Sequence, residues 1–248
     1  KEIFLLLLVL PIISSCTFLD DRKKISNEKY NITNREIINN FSKAITKNPN
    51  NFFFYLERGK AKQNFGDFRG AINDFNYSFN LNKDYKFIFY RANAKFDFGD
   101  YEGAIKDYEQ LTLIKDLKGI KDQIFFNIAS AQLTNLNYSG ALNNYSKAIL
   151  YDDNDYYAYL NRGNTKFITN DYLGAIEDYS KSISINNESF VSFNNNGVSK
   201  FKTGNFKSAL EDFKSSLKIN PKNYNTLYNK SITLFKLNEK KKACIDLK

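Results

Sequence analysis

The sequence predicts an all-α fold in which short helical hairpins repeat along the chain and stack side by side as an α-solenoid. Three observations support this prediction. A ten-residue pattern returns about every 34 residues, a small residue returns in the helix that precedes each copy, and an aromatic ring follows five of the six repeated alanines by one helical turn. Residues four apart lie on one face of a helix, so the alanine and the ring share a face. One hairpin cannot bury its own apolar face, and stacked copies therefore form a continuous core.

The repeated pattern is clearest in two neighbouring copies, Gly66–Phe75 and Gly99–Tyr108. Both contain Gly-Asp, an aromatic residue, Gly-Ala-Ile and a final Asp-aromatic pair, and three further copies begin near 137, 171 and 204. The alanines that the copies share are Ala71, Ala104, Ala141, Ala175, Ala209 and, in a degraded sixth copy, Ala243. Their spacings of 33, 37, 34, 34 and 34 residues indicate an insertion of three residues in the second repeat, near 118–120.

These residues resemble the tetratricopeptide repeat, whose 34-residue unit is a pair of antiparallel helices, A and B. The resemblance covers residues 52–248 and implies a right-handed α-solenoid of helix-turn-helix repeats. The repeats are 52–84, 85–121, 122–155, 156–189, 190–223 and an incomplete 224–248. The small residue of helix A is then Gly59, Ala92, Ala129, Gly163, Gly197 or Ser231. Rings lie at Phe68, Tyr101, Tyr138, Tyr172 and Phe206, where helix B opens, and at Phe75, Tyr108, Tyr145, Tyr179 and Phe213. We expect both sets of rings in the core, with no binding role.

Residues 32–51 are predicted to form a half-repeat that covers the end of the stack. Thr33 and Glu36 have the spacing of a capping box, in which two side chains bond each other's backbone N–H groups at a helix N-terminus. The helix that they would open continues to about Thr46.

Residues 1–15 are predicted to be a lipoprotein signal peptide. The apolar run Ile3–Leu10 is too short for a membrane-spanning helix, which needs about 20 apolar residues. The tetrapeptide 13–16, Ile-Ser-Ser-Cys, follows it and resembles the bacterial lipobox. That resemblance implies lipidation of Cys16, a flexible tether over 16–31 and a location in the bacterial cell envelope, lipid-anchored to a membrane. A plain export signal with an incidental cysteine and an uncleaved hydrophobic tail are the alternatives.

The resemblance also implies a concave groove, lined by A helices, that receives a peptide or a helix of a partner protein. The groove residues are the sixth position, Glu57, Tyr90, Asn127, Asn161, Asn195 and Asn229, and the ninth position, Asn93, Ser130 and Asn164. An asparagine amide donates and accepts, so a ladder of them can bind any peptide backbone. The alternative is that asparagine is simply common at these positions. A specialised groove that grips a terminal carboxylate is disfavoured, because Leu56, Phe89 and Leu160 stand where its first lysine belongs.

The net charge of +9 is concentrated near the end of the chain. Residues 200–248 contain 12 Lys and four acidic residues, a net charge of +8 (12 − 4). This basic segment could bind an anionic surface such as lipid headgroups, wall polymer or an acidic protein, and a solvated surface is the alternative. Nucleic acid is not an expected partner, because no recognised binding motif is present.

The composition argues against an enzyme. The sequence has no His, its two cysteines are Cys16 and Cys244, and it contains no phosphate-binding loop. No catalytic residue, metal site or cofactor is therefore predicted. The predicted function is a protein–protein interaction scaffold of the cell envelope. The alternatives are a lipoprotein that assists secretin assembly (pilotin-like) or outer-membrane protein insertion, and a cytosolic adaptor.

Overall fold

The structure is a computed structural model that describes residues 27–114, 117, 119–239 and 241–243, with side chains from residue 33 onward. Within these residues the chain forms twelve helices of 12 residues or more and no strand. The predicted signal peptide, Cys16 and most of the predicted tether lie outside the described residues. The all-α prediction is confirmed.

The chain divides into two compact units, 20–144 and 145–248, with the boundary inside one helix. The first contains α1 (Asn27–Lys47), α2 (Phe52–Phe65), α3 (Phe68–Leu81), α4 (Lys86–Phe98), α5 (Tyr101–Thr112), α6 (Lys121–Thr134) and the start of α7 (Tyr138–Tyr151). The second contains α8 (Tyr156–Ile168), α9 (Tyr172–Ile185), α10 (Phe190–Lys202), α11 (Phe206–Ile219) and α12 (Tyr224–Lys236). From α2 onward, even-numbered helices are the predicted A helices and odd-numbered ones the B helices. Each A helix begins within one residue of the predicted start of its repeat.

Helix α1 differs from the prediction at its N-terminus. It begins at Asn27, so Thr33 lies in its second turn and the proposed capping box is wrong. No proline or glycine occurs between 27 and 47 to interrupt a helix. The helix therefore extends into residues 27–31, which the sequence had assigned to the flexible tether.

The repeated Gly-Asp-aromatic-x-Gly-Ala pattern forms the turn between helices A and B. Gly66 ends α2 with φ of 92°, a left-handed conformation that favours glycine. Asp67 then caps α3, because its carboxylate accepts a hydrogen bond from the N–H of Gly70 at 2.9 Å. A Cβ on Gly70 would lie 2.1 Å from an oxygen of that carboxylate, so a larger residue there would displace the capping side chain. Asp100 and Asp171 cap α5 and α9 in the same way.

The repeated small residues pack between helices, as predicted. All six shared alanines are at most 5% exposed. In the fourth repeat, a Cβ on Gly163 would lie 2.8 Å from Cε1 of Tyr179, so the ring of helix B rests directly on the backbone of helix A. The five rings that follow the alanines are at most 1% exposed.

The rings that open helix B are half-buried rather than fully in the core. Each of three packs edge-to-face on a ring near the end of the preceding A helix. The centroid distances are 5.4 Å for Phe96–Tyr101, 5.1 Å for Phe167–Tyr172 and 5.1 Å for Phe201–Phe206.

The predicted insertion lengthens the connection between α5 and α6. This connection covers 113–120, whereas the corresponding connections cover 82–85 and 186–189. Leu117 within it is 2% exposed and packs in a core cluster with Leu111 and Ile124.

Candidate functional site: the A-helix face

The sixth and ninth positions of the A helices, here called the A-helix face, are half-buried at the start of the first compact unit. In α2, the amine of Lys60 lies 2.8 Å from the carboxylate of Glu57. The same amine lies 5.0 Å from the ring centroid of Tyr90 in α4, a cation–π contact between successive A helices. Tyr90 in turn stacks on Phe75 with centroids 5.6 Å apart. Glu57 and Tyr90 are thus held in place with part of each side chain exposed.

The amides of this unit are partly committed to contacts within the protein. The Asn93 Oδ1 accepts hydrogen bonds from the hydroxyl of Tyr108 and from Nδ2 of Asn127, the latter at 3.3 Å. A carbonyl oxygen has two lone pairs, so this acceptor is saturated. Burial raises the pKa of Tyr108, which keeps its hydroxyl protonated as the donor. Ser130 donates to the carbonyl of Phe126 within its own helix, at 2.9 Å.

In the second compact unit the same ladder is buried. Asn164 is 0% exposed, and its Oδ1 accepts from the hydroxyl of Tyr179 at 2.8 Å and from Nδ2 of Asn195 at 3.0 Å. Asn195, also 0% exposed, accepts in turn from Nδ2 of Asn194 at 3.1 Å. Asn194 accepts from Nδ2 of Asn229 at 3.1 Å.

Burial changes the role expected of three predicted groove residues. Asn164, Asn195 and Asn229 are each at most 2% exposed and bind one another or Asn194, so they join successive A helices. The expectation that their amides face a groove ligand is therefore corrected. Asn161 is half-buried, and its Nδ2 donates to the carbonyl of Tyr157 at 2.9 Å. The binding role predicted for Asn161 and for the residues of the first unit stays a prediction.

Comparison with known proteins agrees with this architecture. The family model of the tetratricopeptide repeat matches residues 156–189, the bounds of the predicted fourth repeat. The C-terminal part of a TPR repeat-containing protein from Cytophaga hutchinsonii superposes with a TM-score of 0.73 at 16% identity, covering 87% of each chain. Residues 156–189 therefore match a tetratricopeptide repeat, and the chain shares the fold of solved tetratricopeptide-repeat proteins.

Two further solved structures are similar in fold. YrrB, described as a TPR protein with an unusual peptide-binding site, has a TM-score of 0.61 at 17% identity, over 77% of this chain and 97% of its own. MamA has a TM-score of 0.61 at 22% identity, over 69% of this chain and 92% of its own. A search of curated protein sequences found no match.

Sequence reasoning missed a charged group that joins helices A and B. In the first repeat, Nε and a terminal nitrogen of Arg58 donate to the two carboxylate oxygens of Asp74 at 2.9 and 2.6 Å, and the amine of Lys62 lies 2.9 Å from the same carboxylate. The second and fourth repeats contain the same group as Arg91–Asp107–Lys95 and Arg162–Asp178–Lys166. Its sequence signal is arginine, lysine four residues later and aspartate sixteen residues after the arginine.

The hydrogen bonds to aspartate and the charge of its carboxylate raise the pKa of Arg58 and Arg162. A guanidinium is charged at any physiological pH, so these pairs are permanent bonds between helices rather than proton carriers. In the third repeat Ile128 stands at the arginine position, and Asn144 and Gln132 stand at the aspartate and lysine positions. Nδ2 of Asn144 donates to Oε1 of Gln132 at 2.9 Å, so this pair is neutral.

The described residues contain no group of three or more His, Cys, Asp or Glu side chains that could hold a metal ion. Among the helices that the structure describes, none has the length and apolar character needed to cross a bilayer.

Proposed function

We propose that this protein is a scaffold that holds a peptide or helix of a partner protein on the A-helix face of the first compact unit. The observation that carries the proposal is the row of contacts between its successive A helices. Besides the Lys60–Tyr90 contact, Nε2 of Gln63 donates to the carboxylate of Asp97 at 2.6 Å. These contacts hold polar groups in line while leaving them partly exposed.

The chemistry of this row suits an extended peptide. Because the Asn93 Oδ1 is saturated, N–H groups of the ligand are expected to bind the carboxylates of Glu57 and Asp97. Carbonyl groups of the ligand are expected to bind the side-chain N–H groups of Asn93 and the amine of Lys60. Tyr90 offers an apolar ring for a ligand side chain.

A photo-crosslinking experiment in cells tests this assignment. Tyr90 is replaced by benzoylphenylalanine, which keeps an aromatic ring at the A-helix face. The control carries the same group at Lys106, an exposed residue of helix α5. We expect a discrete crosslinked partner from position 90 alone. Equal crosslinking at both positions, or crosslinking at 106 alone, would contradict the proposed face.

We further propose that the scaffold belongs to the bacterial cell envelope and is anchored through a lipid on Cys16. The support is the sequence alone, namely the apolar run and the lipobox-like residues 13–16. Metabolic labelling with an alkyne-bearing palmitate analogue should label the wild type and leave Cys16→Ser unlabelled. An unlabelled wild type would favour the cytosolic adaptor instead.

Contact between the basic segment 200–248 and an anionic surface is a separate part of the proposal. Lys207, Lys218 and Lys222 are exposed. Flotation with phosphatidylglycerol vesicles should fall on Lys→Gln replacement at these three positions, whereas flotation with neutral phosphatidylcholine vesicles should be weak in both proteins. Equal flotation with the two lipids would remove this part of the proposal.

A further inference from the structure

Two arginines of the charged group, Arg58 and Arg162, are each held by three kinds of side chain, which together we call the guanidinium cradle. In the fourth repeat, Nε and a terminal nitrogen of Arg162 donate to the two oxygens of Asp178, at 2.9 and 2.7 Å. Its other terminal nitrogen donates to the hydroxyl of Ser146 at 3.0 Å. The guanidinium carbon lies 5.6 Å from the ring centroid of Tyr159. The cradle thus consists of a carboxylate, a hydroxyl and an aromatic ring.

The first repeat contains the same cradle at equivalent positions. Arg58 donates to Asp74 and, at 3.2 Å, to the hydroxyl of Ser42, and its guanidinium carbon lies 5.7 Å from the ring centroid of Tyr55. In both repeats the hydroxyl precedes the arginine by 16 residues, the ring precedes it by three and the carboxylate follows it by 16. The arrangement is therefore shared by the first and fourth repeats, whereas in the second repeat Arg91 donates to Oδ1 of Asn76 at 2.7 Å.

The fifth repeat keeps the groups of the cradle but has no arginine. Ser180, Phe193 and Asp212 stand at the hydroxyl, ring and carboxylate positions, and Asn196 replaces the arginine. Asn196 is 3% exposed, and its buried Oδ1 has no hydrogen-bond partner among the residues that the structure describes. A buried carbonyl oxygen of this kind is unfavourable unless a donor reaches it.

The carboxylate of Asp212 has fewer partners than the carboxylates at the same position of the first and fourth repeats. Within the described part of the chain only Lys200 pairs with it, and the amine lies 2.8 Å from Oδ2. The Asp212 side chain is 13% exposed, against 5% for Asp178 beneath its arginine. Burial raises the pKa of Asp212, as expected for a carboxylate with too few donors.

We infer that the fifth repeat binds a guanidinium group, supplied by an arginine side chain of a partner protein. A carboxylate, a hydroxyl and an aromatic face are the groups that bind arginine best, and a planar guanidinium can donate to both carboxylate oxygens at once. The carboxylate and the hydroxyl can be reached from solvent, because the Asp212 side chain is 13% exposed and Ser180 is exposed. This site is distinct from the A-helix face and does not depend on peptide binding there.

This inference is tested by adding methylguanidinium chloride to the full-length protein. The backbone amides of Ser180 and Asp212 are monitored by NMR during the titration. We expect saturable shifts that tetramethylammonium chloride, which has the same charge but no N–H donor, does not cause. Asn196→Arg fills the cradle from within and should abolish the shifts. Asp212→Asn should weaken binding about tenfold or more, since it removes the charged acceptor.

A matched variant, Arg162→Asn, should create a second site in the fourth repeat, reported by the amides of Ser146 and Asp178. The inference is overturned if the wild type shows no saturable shift. It is equally overturned if the shifts persist in Asn196→Arg or arise with tetramethylammonium. These results decide the matter even if Arg162→Asn does not fold.

Discussion

Two aspartates at the same position of neighbouring repeats should differ sharply in their importance for stability. Asp178 in the fourth repeat accepts two hydrogen bonds from Arg162, at 2.9 and 2.7 Å, and pairs with Lys166 at 3.0 Å. Asp212 in the fifth repeat pairs only with Lys200 among the residues described. Replacement of each aspartate by asparagine preserves volume and removes one charge, so the two variants isolate this difference in partners.

The change in the free energy of unfolding depends on which charged groups each substitution leaves unpaired. Removing one member of a buried ion pair costs about 3–5 kcal/mol, because its partner stays charged and unpaired. The side chains of Arg162 and Lys166 are 19% and 20% exposed, so water screens part of this cost. We therefore expect Asp178→Asn to lower the free energy of unfolding by about 2–3 kcal/mol. Asp212→Asn should change it by less than about 1 kcal/mol.

Urea unfolding followed by circular dichroism measures both variants. Stability in repeat proteins is partly local, so hydrogen exchange of the amides in α8 and α9, compared with α10 and α11, should localise each loss. Equal destabilisation by the two substitutions would refute the claim that the number of cationic partners decides how much each aspartate contributes to the free energy of unfolding.

The difference in stability between Asp212→Asn and the wild type should depend on pH in the direction set by the raised pKa of Asp212. The pKa of Asp212 is raised in the folded state, so folding favours its protonated form. The stabilisation from that form is complete below the unfolded pKa and is lost as the pH rises through the folded pKa. At neutral pH the asparagine variant should therefore be the more stable protein. This advantage should vanish below the ordinary aspartate pKa of 3.8, and an advantage unchanged at acid pH would contradict the assignment.

Three further substitutions test the packing. Leu136→Gly should raise the free energy of unfolding by about 0.5–1 kcal/mol in urea titrations, because the backbone of Leu136 has a left-handed conformation with φ of 60°. If Leu136→Gly were no more stable than Leu136→Ala, backbone strain at this position would be contradicted. Ala175→Leu should lower it by about 1–3 kcal/mol, since Ala175 is 0% exposed, whereas Ala175→Ser should be milder. Tyr179→Phe should cost about 1 kcal/mol by removing the donor 2.8 Å from Oδ1 of Asn164, and an unchanged melting temperature would show that this bond contributes little.

The buried asparagines of the A helices show which feature of the site could not be predicted from the sequence. Position in the repeat correctly placed these residues on the A helices, but position does not say whether an amide faces solvent or the next helix. Asn164 and Asn195 are 31 residues apart and meet only because successive A helices pack side by side. The charged group was missed for a similar reason, since Arg162 and Asp178 come together only when the hairpin closes. The start of α1 was misplaced because a capping-box spacing can also occur inside a helix.

The sequence by itself determined the all-α fold, the repeat bounds and the core alanines, because side-chain volume and helical spacing are local properties that recur in every copy. Tertiary structure alone decided which polar groups remain accessible. The packing of neighbouring A helices buries Asn164, Asn195 and Asn229, whose amides form hydrogen bonds between those helices. In the fifth repeat, the carboxylate of Asp212 pairs with a single cation among the described residues. Accessibility depends on which side chains from other repeats reach a given atom, and such contacts between distant residues exist only in the folded chain.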